Sequence, residues 1–112
     1  MSSLAIRLLP ETLRTLAFGG IGGAYAAIGA AFANPSRILY ITNTTDVVLT
    51  FSLDGVNDHF VVPTGAGLIV DVMTNRSNPG GAFVISQGTV VYVKGAPTSG
   101  AVYLSTFYGA NG

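Results

Sequence analysis

From residue 37 onward the apolar residues come in short runs, each closed by glycine, proline or a cluster of small polar residues. The runs are Arg37–Ile41, Val47–Leu53, Asp58–Val62, Leu68–Met73, Phe83–Ile85, Thr89–Val93 and Ala101–Tyr108. In the second, Val47, Leu49, Phe51 and Leu53 alternate with Val48, Thr50 and Ser52, the period of a strand with one buried face. Asp54-Gly55 follows it, a pair suited to the positive φ of a hairpin turn. The connections are too short for the crossover helices that parallel strands require, so pairing must be mostly antiparallel. About seven strands spaced roughly 8–12 residues apart predict an all-β body, an antiparallel sandwich or a jelly-roll-like fold.

The segment before Asn34-Pro35 reads differently. Pro10 and Glu11 suit the first positions of a helix and Gly19-Gly20 would close it, which predicts a short helical turn. Leu16–Ala33 is an eighteen-residue run without a charge, five of its residues being glycine. That is marginal in length for a membrane span, and the acidic Glu11 ahead of it is foreign to a secretory signal. Phe18, Ile21, Tyr25, Ile28 and Phe32 recur at steps of three and four, nominally a helical stripe. Each interior glycine costs a helix about 1 kcal/mol relative to alanine, so extended structure is expected instead. On this reading residues 1–34 form an apolar arm and residues 35–112 the β body. The five large residues are its partner-binding positions, and removing residues 1–33 should leave a folded body that no longer attaches.

Only 9% of the residues are charged, against about 25% in an ordinary soluble domain. With 49% hydrophobic residues, too little charge exists to coat a free globule, so self-association or coverage by other proteins is expected. Net charge is zero and the five basic residues are scattered, leaving no stripe for nucleic acid. Cysteine is absent, and with it disulfides and thiolate chemistry.

Candidate chemistry is sparse. Asp54-Gly55-Val56-Asn57-Asp58 groups oxygen-bearing side chains, but glycine directly after the first aspartate departs from the EF-hand order and reads as a turn. His59 is the single histidine, and no nucleophile elbow, Walker loop or dinucleotide fingerprint is present. Asn43-Thr44-Thr45 and Asn75-Arg76-Ser77 match glycosylation sequons, which we read as turn chemistry in which Asn and Thr bond nearby backbone. Tyr40, Tyr92, Tyr103, Phe107 and Tyr108 fall on strands, where they serve a core, an interface or a carbohydrate platform. The expectation is a protein that is not an enzyme, with no metal, cofactor, small-molecule substrate or membrane partner.

Arg37-Ile38-Leu39-Tyr40-Ile41 with Asn43, Thr45 and Asp46, then Phe51–Asp58, then Asp71-Val72-Met73-Thr74-Asn75 together resemble small virion structural proteins of tailed bacteriophages. In size and β content the chain is similar to the decoration, or cement, proteins of the capsid exterior. The resemblance runs from Ala17 to Tyr108 and rests on turn and strand patterns. It implies a self-associating protein, made in the bacterial host cytoplasm, that binds the major capsid protein or other virion proteins. There it would bridge neighbouring capsid subunits on the virion surface. A neck or tail ring component is the alternative of the same kind, and a carbohydrate-binding sandwich module the alternative of another.

Overall fold

The computed structural model describes residues 6–71 and 85–111. Its strands are β1 (Ile6–Pro10), β2 (Arg14–Ala17), β3 (Ala26–Ala27), β4 (Ile38–Asn43), β5 (Leu49–Ser52), β6 (Phe60–Val62), β7 (Gly67–Asp71), β8 (Tyr92–Lys94) and β9 (Ala101–Asn111). A 3-10 turn at Phe18–Gly20 is the one helical element among the described residues. All pairings are antiparallel and make two sheets, as the run lengths predict. The first sheet has the order β1-β9-β4-β7 with β2 also on β9, and the second the order β3-β8-β5-β6.

Alternation explains the core. In β4, Leu39, Ile41 and Asn43 are buried while Tyr40 is exposed; in β9, Val102, Leu104 and Thr106 are buried while Tyr103 is exposed. The second sheet turns Leu49, Phe51, Val62 and Val93 toward them, and the Phe51 and Phe60 rings stack at 5.4 Å. These residues pack as one hydrophobic cluster between the sheets, so the all-β sandwich-like body is the observed fold.

Observed strands depart from the predicted runs where local context intervenes. The Asp54-Gly55 turn lies inside a wider loop from Leu53 to His59 rather than a two-residue hairpin, with Gly55 at φ 76°. Thr89–Val91 do not form a ladder strand; Ile28 and Phe32 donate backbone hydrogen bonds to Val91 and Thr89 at 2.8 and 2.9 Å. Ile85 forms an isolated bridge with Ser36, and the rest of the predicted Phe83–Ile85 run lies outside the described residues, as do the end of the Leu68–Met73 run and Asn75-Arg76-Ser77.

The largest departure concerns residues 1–34. The helical turn expected at Pro10 is absent: the chain there is strand, with Ile6–Pro10 paired to Phe107–Asn111 and Arg14–Ala17 to Ala101–Leu104. Pro10 is tolerated because it stands across from Phe107, whose carbonyl turns the other way to accept from the Arg37 N–H at 2.7 Å. The missing N–H of Pro10 therefore costs no ladder bond, as is usual for proline on an edge. Since β1 and β2 belong to the first sheet and β3 to the second, the structure has no separate arm at the 34/35 boundary.

Candidate functional site

β1 and β2 are one edge strand interrupted by a bulge. Pro10 pairs with Phe107 and Arg14 with Leu104, so Glu11, Thr12 and Leu13 stand against only Ser105 and Thr106. One extra residue on one strand shifts the alternation beyond it. Residues three apart in a regular strand point to opposite faces, but here Glu11 and Arg14 point to the same side. They form an ion pair of 2.7 Å with both side chains 9% exposed.

This geometry engages Arg14 through four hydrogen bonds. Its Nε donates to the Ala30 carbonyl at 2.8 Å, its other nitrogens to Thr106 Oγ1 at 3.0 Å, Glu11 and the Ala31 carbonyl, and its guanidinium lies 5.0 Å from the Phe32 ring centre. Glu11 Oε2 accepts from the backbone N–H and the side-chain amide of Asn34, both at 2.9 Å. The clasp thus fastens the edge of the first sheet to Gly29–Asn34 beside the second. Burial alone would push the Glu11 carboxyl up, but the hydrogen bonds from Arg14 and Asn34 and the Arg14 charge outweigh it and hold the group below its ordinary 4.5.

A depressed carboxyl contributes stability above its unfolded-state value and loses it as pH falls through the folded one. We therefore expect Glu11→Gln to lower stability by about 1.5–3 kcal/mol at pH 7, the worth of hydrogen bonds to a charged group. The gap from the unsubstituted protein should close as pH falls below about 4. Urea unfolding of both proteins at the two pH values checks this, and a gap independent of pH would count against the clasp.

A cleft of about 670 Å³ opens over the clasp, lined by Pro10–Thr15, Gly29–Ala31, Ala33, Asn34 and Tyr108. Its charged groups, Glu11 and Arg14, are bonded to each other, to the Thr106 and Asn34 side chains and to backbone.

The five expected partner-binding residues do not make one surface. Ile21, Ile28 and Phe32 are 6%, 0% and 2% exposed and belong to the chain's own core; Tyr25 is half-buried, and Phe18 is exposed. The reason is that β8, without this segment, would leave one flank of the second sheet and the core beside it open. Ala26–Ala27 pair with Tyr92–Val93, and Ile28 and Phe32 fill the space next to Val91 and Val93. Tyr25 donates its hydroxyl to Asp58 and lies under Lys94, whose Nζ is 4.7 Å from the ring centre and 3.0 Å from Asp58 Oδ1. Burial, the hydrogen bond to Asp58 and the nearby carboxylates push its hydroxyl up to about 12.

The Asp54 loop closes on itself. Asp54 Oδ1 accepts from Val56 N, Asn57 N and Ser52 Oγ at 2.8–2.9 Å, and Oδ2 accepts from the Asn57 amide at 2.9 Å. These donors, the two backbone N–H groups first, hold its carboxyl well below the usual range. Four donors on one carboxylate describe a capped turn, not an open ligand site. His59 Nδ1 accepts from the Leu53 N–H at 2.9 Å, which fixes the imidazole on its own loop. No group of three or more acidic, histidine or cysteine side chains placed to hold a metal lies among the described residues. No helix of the described residues is long and apolar enough to cross a membrane.

What alternation leaves outside is the notable surface. Residues directly opposite in a sheet share a face, so Tyr40, Ile69 and Ser105 lie together, as do Thr42, Tyr103 and Thr15 beside them. Tyr40 and Tyr103 are each 39% exposed and Ile69 64%. The tyrosines were legible as strand residues; that they share a face with Ile69 follows only from the register.

No family model matches the chain, and no curated protein matches it. A solved chain from Bacillus endospore appendages, described as forming a novel family of disulfide-linked pili, is similar with a TM-score of 0.49 and 16% identity. The match covers 96% of this chain and 90% of that one.

Proposed function

We propose that this chain is a non-catalytic structural subunit that works by packing against other protein chains. The observation that supports it is the outward face of the first sheet, which carries exposed Tyr40, Ile69 and Tyr103 and, among the described residues, places one charged residue, Asp71, at its end. The polar constellations that could have carried chemistry, around Arg14, Asp54 and His59, are instead satisfied by neighbouring backbone and side chains. Interface centres are depleted in charge and enriched in tyrosine, which is the composition of this face.

Within that class, the resemblance to small phage virion proteins supports a capsid decoration protein that binds the major capsid protein and bridges neighbouring subunits from outside. Such a protein stabilises a shell by mass action, since anything that binds the assembled state shifts the equilibrium toward it. Mass spectrometry and imaging of purified virions from the phage that encodes the chain provide the test. The expected result is hundreds of copies on the capsid exterior; about 6 or 12 copies at one vertex would replace decoration by a neck or tail ring. Absence from virions would overturn both. The two exposed tyrosines also favour a carbohydrate-binding module as a second reading, which glycan-array binding abolished by Tyr103→Ala would support.

A further inference from the structure

We infer that the outward face of the first sheet is a self-complementary interface, and that a second copy of this chain is its occupant. This deepens the structural-subunit reading by naming a surface and a partner, and it applies equally to a shell and to a ring.

The two outward faces of the sandwich are unlike. On the second sheet the Leu53–His59 loop folds across the strands: a Cβ added to Gly55 would stand 3.3 Å from the Tyr92 ring, and Ser52 is 0% exposed. Lys94 and Asp58 add a charged pair there. Among the described residues, the first sheet carries neither a loop across its outward face nor a central charge. Across β2, β9, β4 and β7 its outward residues are Thr15, Ala17, Ala101, Tyr103, Ser105, Phe107, Ile38, Tyr40, Thr42, Gly67 and Ile69, ending at Asp71. Tyr40 lies down on the sheet over Gly67, whose missing Cβ would stand 3.0 Å from the ring. The face is consequently low and flat, with Ile69 beside it.

Charge and area both select the occupant. A neutral face has no counter-charge to seek in a foreign partner, and a chain of zero net charge does not repel its copies. Like meets like about a two-fold axis without any charge having to match another. Strands β2, β9, β4 and β7 lie about 4.8 Å apart and contribute four, seven (Ala101–Phe107), six and five residues at about 3.4 Å each, a patch of roughly 360 Å² per copy. Two copies would bury about 720 Å², and Leu8, 42% exposed and across from Gly109 on the same face, extends it. That lies below the about 1,200 Å² of a stable specific interface, which suits a weak, reversible contact repeated through an assembly and not a permanent dimer.

Sedimentation equilibrium of the full chain, from about 1 to 200 µM, tests the inference without any virion, so its outcome is independent of the virion assignment. We expect concentration-dependent dimers that Ile69→Lys weakens at least tenfold, because two copies would bring like charges into a desolvated contact. Thr42→Lys, on the same face, should do the same, so the test survives if one variant fails to fold. Val61→Lys, exposed on the other sheet, should change association less than twofold. A monomer throughout the range, dimers indifferent to both first-sheet variants, or dimers equally sensitive to Val61→Lys would each overturn the inference. So would a monomeric chain whose tyrosine fluorescence is quenched by soluble oligosaccharides.

Discussion

Deletion of residues 1–33 is expected to abolish folding, not merely attachment. Read from sequence, the segment is a greasy arm awaiting a partner; in the structure it supplies Ile21, Ile28 and Phe32 to the core and the outer strands of both sheets. Burying one such side chain stabilises a fold by about 1.5–3 kcal/mol, so three of them rival the about 5–15 kcal/mol that holds a domain together. The deletion also strips β9 of its partners on one side and exposes Val91 and Val93. Far-UV circular dichroism and urea unfolding of the truncated chain should show no cooperative transition. Phe32→Ala gives the graded version, a folded protein destabilised by about 3–5 kcal/mol. A truncated chain that unfolds cooperatively with an intact β spectrum would restore the arm as an independent element.

Why the segment misleads is physical. A strand announces itself by alternation over several residues, and β4, β5 and β9 do so because Leu39 and Ile41, Leu49 and Phe51, and Val102, Leu104 and Thr106 put one of their faces in the core. β3 is two alanines, and the residues around it meet the body through scattered backbone hydrogen bonds, including Gly95 N to the Gly22 carbonyl at 2.9 Å. Such contacts have no period to read. The spacing of Phe18, Ile21, Tyr25, Ile28 and Phe32 imitates a helix, but it arises from irregular chain that touches the core wherever it can. Glu11 and Arg14 were invisible as a pair for a related reason: only the bulge between them turns both inward, and a bulge is set by the register of a strand some ninety residues away. The face of the first sheet was half legible. Tyr40 and Tyr103 stand out as strand tyrosines, while their alignment with Ile69 depends on pairings no local pattern encodes.

Asn43, by contrast, was legible as turn chemistry and proves to hold the sheets together. It ends β4 in the first sheet, is 0% exposed, and donates its amide to the Val62 carbonyl of the second sheet at 2.9 Å and to the Val47 carbonyl at 3.0 Å. Its Oδ1 accepts from Thr45 N and Thr45 Oγ1 at 2.9 and 2.6 Å, which closes the turn between the two sheets. Every polar atom of the side chain thus has a partner, although Thr45 Oγ1 and the Val47 carbonyl also bond each other at 3.0 Å and would keep that contact. Leaving buried groups unpaired costs about 1–3 kcal/mol each, so Asn43→Ala should destabilise by about 2–4 kcal/mol and lower the melting midpoint by roughly 10–20 °C. Asn43→Asp separates hydrogen bonding from packing, since it keeps the shape and the acceptor but aims a carboxylate at two carbonyls. It should be the worse variant at pH 7 and recover in acid, where a protonated carboxyl can donate to one of them. Thermal unfolding of the three proteins at pH 7 and pH 4 decides between the roles: equal losses for both variants at both pH values would mean that Asn43 fills space rather than bridging the sheets.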